Sequence, residues 1–334
     1  MKTKNRICIS PLIIITGLLL LNAISCKKEN EQMQGQPPVL STRHVYPITS
    51  TTANCGGDIT NDGGAKVTAR GVCWSKTPNP TTADNKTVDD TGTGTFKSEI
   101  TGLTATTSYY VRAYATNSVA TGYGNELSFK TYTGTISDVE GNVYNIMRIG
   151  TQTWMVENLK TTRFNDNTAI PLVSDNAEWE ELSTPGYCWY NNIPSLYKLN
   201  FGALYNFFVI DNARNGGKNL CPTGWHVPTN AEWTTIATFL GGDSIAGGKM
   251  KETITLWLSP NTGATNESGF TALPGGGRYY NGIFDGTGSN GCWWSSTELL
   301  TSSARGRFLY YDYRLIYSGS GSKRDGFSVR CLKD

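Results

Sequence analysis

Residues 221–242 read CPTGWHVPTNAEWTTIATFLGG and contain a helix with its start and stop signals. Thr229 and Glu232 have the spacing of a capping box, in which the hydroxyl and the carboxylate each accept a backbone N–H at the start of a helix. Apolar residues then recur at helical spacing until Gly241-Gly242 ends the segment; they are Trp233, Ile236, Ala237 and Leu240. A helix here, within strand-rich sequence, predicts an α+β fold for residues 133–334.

Short segments of strand-like pattern surround this helix. Residues 141–155 predict a hairpin that turns at Gly150-Thr151. Residues 278–284 predict a second hairpin, with Asn281-Gly282 as a type I′ turn. The remaining strands are expected at residues 292–296, 308–313 and 326–332.

Residues 39–132 show only the alternating pattern of strands, separated by turn residues, which predicts an all-β sandwich. The strands are expected at 69–75, 96–100, 108–115 and 126–131. The stretch from Gly102-Leu103 to Tyr109 resembles the corner of fibronectin type III domains. The resemblance implies that Tyr109 folds back to hydrogen-bond the backbone, that Trp74 lies in the core, and that this domain is a spacer.

The first 25 residues have the three parts of a signal peptide: Lys2, Lys4 and Arg6, then the apolar segment 11–21, then a short polar stretch. The apolar segment is shorter than the roughly 20 residues of a membrane-spanning helix. Ala23-Ile24-Ser25-Cys26 resembles a bacterial lipobox, which implies lipidation of Cys26 and a membrane partner through that anchor. Residues 26–38 are polar, end in two prolines and predict a flexible tether. We therefore expect an outer-membrane lipoprotein of the cell envelope, exposed at the surface.

Composition argues against nucleic-acid binding. Hydrophobic residues are 38% and charged residues 17% of the chain, which also has 37 glycines, a mixture that favours turn-rich β structure. Removal of Lys2, Lys4 and Arg6 with the signal peptide leaves 26 of the 29 basic residues against 27 acidic ones. A nearly neutral mature chain lacks the concentrated basic surface that nucleic acids require.

Six cysteines remain after Cys8 in the signal peptide and Cys26 are set aside, and an oxidising compartment favours disulfides between them. By elimination, Cys55 is expected to pair with Cys73 in the first domain. The other four allow three pairings, of which we favour Cys221–Cys331 together with Cys188–Cys292. No close CxxC pair and only two mature histidines argue against zinc.

Six motifs occur in order through the C-terminal part and resemble the Fibrobacter succinogenes major paralogous domain. The motifs are IGTQTWMVENL at 149–159, YCWYNN at 187–192, GALYN at 202–206, CPTGWHVPT at 221–229, WWSSTE at 293–298 and GFSVRC at 326–331. The resemblance implies a C-type-lectin-like fold, distantly similar to formylglycine-generating enzymes, in surface lipoproteins of Bacteroidota. It implies no known activity.

Residues with catalytic or metal-binding chemistry give little support for an enzyme. We predict no cofactor, with calcium as the alternative. Calcium prefers several oxygen ligands, and Asn165-Asp166-Asn167 would supply some of them. Such a cluster is, however, typical of an ordinary loop. His226 has a structural position before the helix. A glycosidase needs two facing carboxylates, and Glu157, Glu298 and Asp312 are the candidates, without support from their spacing.

Aromatic residues are the suggestive feature, since eight of the nine tryptophans follow residue 133. Aromatic rings anchor binding interfaces. The predicted binding surface contains Arg278, Tyr279, Trp293, Trp294, Tyr310 and Tyr311. We expect a non-catalytic protein for glycan or protein binding or adhesion; the alternatives are an enzyme acting on polysaccharide and a structural component of the envelope.

Overall fold

A computed structural model describes residues 35–254 and 256–334. The predictions for the signal peptide, Cys26 and residues 26–34 of the tether lie outside these residues. The N-terminal part contains eight strands: β1 Val39–Thr42, β2 Ala53–Asn61, β3 Ala69–Ser75, β4 Asn85–Lys86, β5 Gly94–Ile100, β6 Ser108–Thr116, β7 Thr121–Tyr123 and β8 Leu127–Lys130.

These strands confirm the predicted β-sandwich. One sheet has the order β1-β2-β5, and the other has the order β4-β3-β6-β7, with β8 also paired to β6. Every strand pairing in both sheets is antiparallel. The apolar residues that face inward from the two sheets form one core, in which Val72, Val111 and Ile100 are fully buried.

The predicted corner at Tyr109 is confirmed. Tyr109 is 4% exposed, and its phenolic oxygen accepts a hydrogen bond from the backbone N–H of Thr104 at 3.0 Å. Its ring also stacks on Phe129. Trp74, expected in the core, packs against the core cluster but stays partly exposed.

The C-terminal part combines helices with mainly antiparallel strands. The helices are α1 Asn176–Glu180, α2 Pro194–Phe201, α3 Asn212–Asn215, α4 Asn230–Phe239 and α5 Asp243–Met250. The strands are β9 Gly134–Ser137, β10 Val143–Ile149, β11 Gln152–Met155, β12 Tyr187–Cys188, β13 Leu204–Tyr205, β14 Trp225–His226, β15 Gly275–Arg278, β16 Phe284–Thr287, β17 Asn290–Leu300, β18 Ser303–Tyr310, β19 Tyr317–Ser322 and β20 Leu332–Lys333.

Two five-stranded sheets organise this part. The first has the order β14-β20-β11-β10-β9, and the second has the order β16-β15-β17-β18-β19. Strand β17 contributes to a different core cluster on each of its faces: Trp293 packs with Trp154 and Trp233, whereas Trp294 packs with Phe327 and other residues. Both faces of the second sheet are therefore covered near its centre.

The sequence signals of α4 are confirmed in full. The Thr229 hydroxyl accepts the Glu232 N–H, and the Glu232 carboxylate accepts the Thr229 N–H, so both parts of the capping box form. Trp233, Ile236 and Ala237 are buried on one face of the helix. The hairpin formed by β10 and β11 also agrees with the prediction.

One predicted turn and two predicted strands are wrong in detail. The second hairpin has a five-residue connection between Arg278 and Phe284, and only Gly282 has a positive φ, so the type I′ turn does not form. A type I′ turn needs positive φ at both central residues. The strand expected at 326–332 is reduced to Leu332–Lys333 and isolated bridges, and β18 ends at Tyr310 instead of residue 313.

The predicted domain boundary at 132 and 133 falls between β8 and β9, yet residues 35–334 pack as one compact unit. Tyr132 lies at this junction, where it is 4% exposed and belongs to a core cluster of the C-terminal part. Its hydroxyl lies 3.4 Å from that of Thr271. Nearby, His44 Nε2 lies 3.6 Å from Glu252 Oε1. The sandwich is thus fixed against its neighbour by buried contacts.

One of the three predicted disulfides is confirmed, between Cys221 and Cys331. Cys55, Cys73, Cys188 and Cys292 are instead free and buried, so the pairings Cys55–Cys73 and Cys188–Cys292 are wrong.

The geometry of the strands gives the reason. Cys55 packs in the sandwich core together with Val72, and Cys73, the next residue on β3, has its side chain on the opposite face. The Cys73 thiol donates to the carbonyl of Pro80 instead. Cys188 and Cys292 belong to separate core clusters.

Candidate functional site

One face of the second sheet carries a cleft of about 310 Å³ in which three tyrosines converge. We call it the tyrosine cleft. Its lining consists of Gly277, Tyr279, Asp285, Asn290, Cys292, Phe308, Tyr310, Tyr317, Gly319, Ser320, Asp325 and Phe327. Strands β15 to β19 and the segment that follows β19 therefore all contribute to it.

Strand register explains the arrangement. Phe308 lies opposite Cys292 on one side and Tyr317 on the other, and Tyr310 lies opposite Asn290. Alternate residues of a strand share a face, so these side chains share one side of the sheet. Gly319 keeps this side open, since a Cβ at that position would lie 2.8 Å from the Phe308 ring.

Aromatic surface in the cleft is accessible from solvent. Tyr279 is 45% exposed and Tyr317 is 54% exposed, while Phe308 and Tyr310 are partly exposed. Phe327 is buried beneath them and meets Phe308 edge to face, with 5.4 Å between the ring centroids. The cleft thus has a buried aromatic floor and exposed tyrosine walls that present both ring faces and hydroxyls.

Two carboxylates lie among these rings. Asp325 is 6% exposed, and its two oxygens accept the backbone N–H groups of Tyr280 and Ser322, each at 2.8 Å. Burial raises the pKa of Asp325 to about 6, against the opposing effect of those two hydrogen bonds. Asp285 is exposed, and one of its oxygens lies 3.5 Å from the Tyr279 hydroxyl.

Cys292 lines the cleft together with these carboxylates. Burial, with smaller contributions from the charges of Asp325 and Asp285, raises its pKa to about 12. Burial raises the pKa of Tyr279 as well, and Asp285, Cys292 and Asp325 add to that effect. Cys292 is therefore a protonated thiol without nucleophilic character.

A buried lysine fixes one wall of the cleft. The Lys251 ammonium donates hydrogen bonds to the carbonyl oxygens of Tyr310 at 3.0 Å and Tyr313 at 2.8 Å. Burial lowers the pKa of Lys251 to about 8. These bonds hold the end of β18 and the following turn, which keeps Tyr310 in place.

Only two of the six residues of the predicted binding surface lie in the tyrosine cleft. Tyr279 and Tyr310 line the cleft, whereas Tyr311 is partly buried against a core cluster. Trp293 and Trp294 are at most 1% exposed, and Arg278 is fully buried, so the prediction that these three form a binding surface is wrong.

Arg278 has a structural task. Its guanidinium donates to the carbonyl oxygens of Val173, Ser174 and Asp175 and lies 4.4 Å from the centroid of the Trp179 ring. A buried charge needs such partners. The sequence analysis did not include three residues of the cleft, Asp285, Tyr317 and Asp325, in the predicted binding surface. The alternation of side chains along β18 and β19 is the signal that would have identified Tyr317.

The predicted catalytic carboxylates do not meet. Glu157 is bound by the backbone and side-chain amides of Asn145, Glu298 pairs with Lys323 at 2.9 Å, and Asp312 is exposed. None of the three lines the tyrosine cleft. Within residues 35–254 and 256–334, no group of three or more His, Cys, Asp or Glu side chains is placed to hold a metal ion.

The predicted calcium-ligand cluster forms a loop. Asp166 pairs with the Lys218 ammonium and accepts the Thr168 N–H, and Asn167 has a positive φ of 69°. The loop is therefore held by its own hydrogen bonds and a lysine.

His226 connects the start of α4 to the last residue of the chain. Its Nδ1 lies 2.6 Å from Asp334 Oδ1, and its Nε2 lies 3.0 Å from Glu232 Oε1. Burial lowers the pKa of His226, but hydrogen bonds to Asp334 and Glu232 outweigh burial and raise it above the ordinary value.

This geometry predicts a pH-dependent contribution to stability. An unfolded histidine titrates near about 6.5, so the contribution is fully present below that pH and is lost as the pH rises through the higher pKa of folded His226. Because the group is partly exposed, we expect less than about 1 kcal/mol. The measurement is urea denaturation of the wild type and His226→Asn from pH 5.5 to 8.5. Parallel pH profiles for the two proteins would contradict this role.

The sequence family follows from comparison with known families. The model of the Fibrobacter succinogenes major domain matches residues 147–333, more than half of the chain. The chain belongs to this family. The match of this Fibrobacter succinogenes major domain protein begins within β10 and includes every residue of the tyrosine cleft. Comparison with curated protein sequences gives no match.

Two solved structures similar to this family member each match 29% of it. The sensor domain of the anti-sigma factor RsgI4 from Pseudobacteroides cellulosolvens is 17% identical, with 29% of this chain and 95% of that chain covered and a TM-score of 0.23. The sixth fibronectin type III domain of human fibronectin type III domain containing protein 3 is 22% identical, with coverage of 29% and 82% and a TM-score of 0.21. Fibronectin type III domains are thus among its structural neighbours. In the described residues, no helix is both long and apolar enough to span a membrane.

Proposed function

We propose that this protein is a non-catalytic binding lipoprotein of the cell envelope, whose tyrosine cleft captures a glycan. Lipidation of Cys26 would anchor it to the outer membrane, and the sandwich would hold a lectin-like domain away from the surface. The observation that carries the proposal is the convergence of Tyr279, Tyr310 and Tyr317 on one cleft of about 310 Å³.

The chemistry of the lining suits sugars. Exposed aromatic rings offer flat apolar faces, and their hydroxyls offer hydrogen bonds at the rim. Asn290, Ser320 and the carboxylates add polar groups that would fix the orientation of a ligand. A cleft of this size suits a short segment of a polysaccharide.

Three features favour binding over catalysis. Both Asp325 oxygens already accept backbone N–H groups, so this carboxylate is committed to holding the chain. Cys331 lies in a disulfide, which removes the thiolate that formylglycine-type chemistry would require. Neither of the cleft carboxylates has a histidine or lysine among the lining residues to activate it.

The test is binding of the purified chain to an array of glycans, followed by titration of a ligand that binds with Tyr317→Ala. We expect about tenfold weaker binding, a loss typical of an aromatic anchor in an interface. Tyr280→Ala is the matched control, because Tyr280 is 51% exposed, close to the 54% of Tyr317, but does not line the cleft.

Three results decide the proposal. Selective loss in Tyr317→Ala, with Tyr280→Ala unchanged, supports binding in the cleft. If both variants bind with the affinity of the wild type, the ligand binds outside the tyrosine cleft and the proposal is overturned. Cleavage of a bound oligosaccharide, detected by product analysis, would establish the enzymatic alternative.

A further inference from the structure

The charge of the tyrosine cleft is one-sided. Asp285 and Asp325 are both in its lining, and none of the twelve lining residues is Lys, Arg or His. Two buried cations on neighbouring segments bind backbone groups instead: the Arg278 guanidinium binds the carbonyl groups of Val173 to Asp175, and the Lys251 ammonium binds those of Tyr310 and Tyr313. Neither therefore neutralises the carboxylates through a direct ion pair.

The two carboxylates differ in their availability. Asp325 is bound through both oxygens and contributes fixed negative charge at the base of the cleft. Asp285 is exposed, and one of its oxygens lies 3.5 Å from the Tyr279 hydroxyl. A ligand can thus reach the Asp285 carboxylate without breaking a strong hydrogen bond.

A buried polar group without a partner also points into the cleft. Cys292 is 8% exposed, lines the cleft, and has a free thiol with no hydrogen-bond partner in the part of the chain that the structure describes. Cys292 shares the lining with Asp285 and Asp325, and their charges add to the larger effect of burial in raising its pKa. The floor of the cleft therefore lies in a negative potential.

Aromatic faces and carboxylates together favour one class of ligand group. A cation gains from the negative face of an aromatic ring and from a carboxylate, most of all where water is partly excluded. A ligand carboxylate or sulfate would instead face two like charges. Neutral sugars would stack on the rings and donate hydroxyl hydrogen bonds to Asp285, but they would gain nothing from the attraction between opposite charges.

We infer that the tyrosine cleft selects cationic ligands, and that its glycan class is an oligosaccharide of amino sugars with positively charged nitrogen. The inference rests on the proposed function, because it names the ligand of the same cleft. Tyr279, Tyr310 and Tyr317 would surround the charged nitrogen, with Asp285 as its direct partner.

The test uses three β-1,4-linked tetramers that differ in the group on C2 of each sugar. Trimethylated glucosamine tetramer carries permanent charge, whereas N-acetylglucosamine tetramer and cellotetraose are neutral. We expect the trimethylated tetramer to bind the full chain at least tenfold more tightly than either neutral one at pH 7.5. Asp285→Asn should reduce this preference several-fold. Asp325→Asn is a second variant, used where Asp285→Asn perturbs folding, and it should also reduce the preference for the charged tetramer.

Glu99→Gln is the control, because it removes an exposed carboxylate from the sandwich and changes the net charge equally. If Glu99→Gln loses as much affinity for the trimethylated tetramer as Asp285→Asn does, the inference is overturned. Equal affinity for the charged and neutral tetramers, with sensitivity to Tyr317→Ala, would overturn the charge selection and leave the proposed function intact. Absence of binding to any tetramer or any other glycan would contradict both.

Discussion

The double substitution Cys221→Ala with Cys331→Ala is expected to lower the free energy of unfolding by about 4–5 kcal/mol. The disulfide joins residues 110 positions apart, and closing a loop of about this length is worth about 4.7 kcal/mol in the chain-entropy account. Both cysteines are fully buried in the main core cluster. Cys331 precedes β20, which lies between β14 and β11, so the bond fastens the centre of a sheet. Equilibrium denaturation in guanidinium chloride measures the loss.

Cys55→Ala with Cys73→Ala is the matched control, because it also removes two buried cysteines but no covalent link. Its expected cost is about 1–3 kcal/mol, in the range of ordinary core substitutions. Titration of thiols in the denatured, unreduced protein should detect Cys55, Cys73, Cys188 and Cys292. Failure of these four thiols to react, or a cost of the control as large as that of the first variant, would contradict the assignment of one disulfide and four free cysteines.

Local signals in the sequence predicted local structure well. The capping box of Thr229 and Glu232 defined the start of α4, and Tyr109 identified the corner of the sandwich. Each of these features depends on residues close together in the chain, so its pattern is visible without knowledge of the fold. The six ordered motifs predicted the family of the C-terminal part, and the family match confirms that prediction.

The predictions of exposed tryptophans and of disulfide pairs were wrong where the position of a side chain depends on which face of a strand is covered by other residues. Alternation on β17 would bury one residue of the pair Trp293-Trp294 and expose the other. Both are buried, because separate core clusters cover the two faces of the sheet at this point. Similarly, an even number of cysteines indicates that pairing is feasible, but Cys55 and Cys73 lie on different sides of their sheets.

The tyrosine cleft could be predicted only in part for the same reason. Tyr279 and Tyr310 were identified as surface aromatics, but the partners that complete the cleft come from other elements. Asp325 reaches the cleft through the segment after β19, where hydrogen bonds from Ser322 and Tyr280 position its carboxylate. Such a juxtaposition follows from the pairing of β15 to β19 and leaves no local signature.

Trp293→Ala is expected to lower the free energy of unfolding by about 3–5 kcal/mol, the usual cost of truncating a buried tryptophan. Trp293 is 1% exposed, and its indole N–H donates to Asn158 Oδ1 at 2.8 Å. The same oxygen accepts two hydrogen bonds from Arg330, whose guanidinium lies 5.6 Å from the centroid of the Trp293 ring. The substitution therefore opens a cavity and weakens the support of a buried charge. Thermal and urea denaturation measure the effect.

Tyr279→Ala separates this core role from ligand binding. Because Tyr279 is 45% exposed and lines the cleft, its removal should weaken glycan binding and change stability by about 0.5 kcal/mol or less. Trp293→Ala should show the opposite pattern, with a large loss of stability and, in the fraction that remains folded, a cleft still lined by its tyrosines. A stable Trp293→Ala protein that has lost only its ligand would restore Trp293 to the binding surface, because a side chain buried in the core cannot be removed without cost.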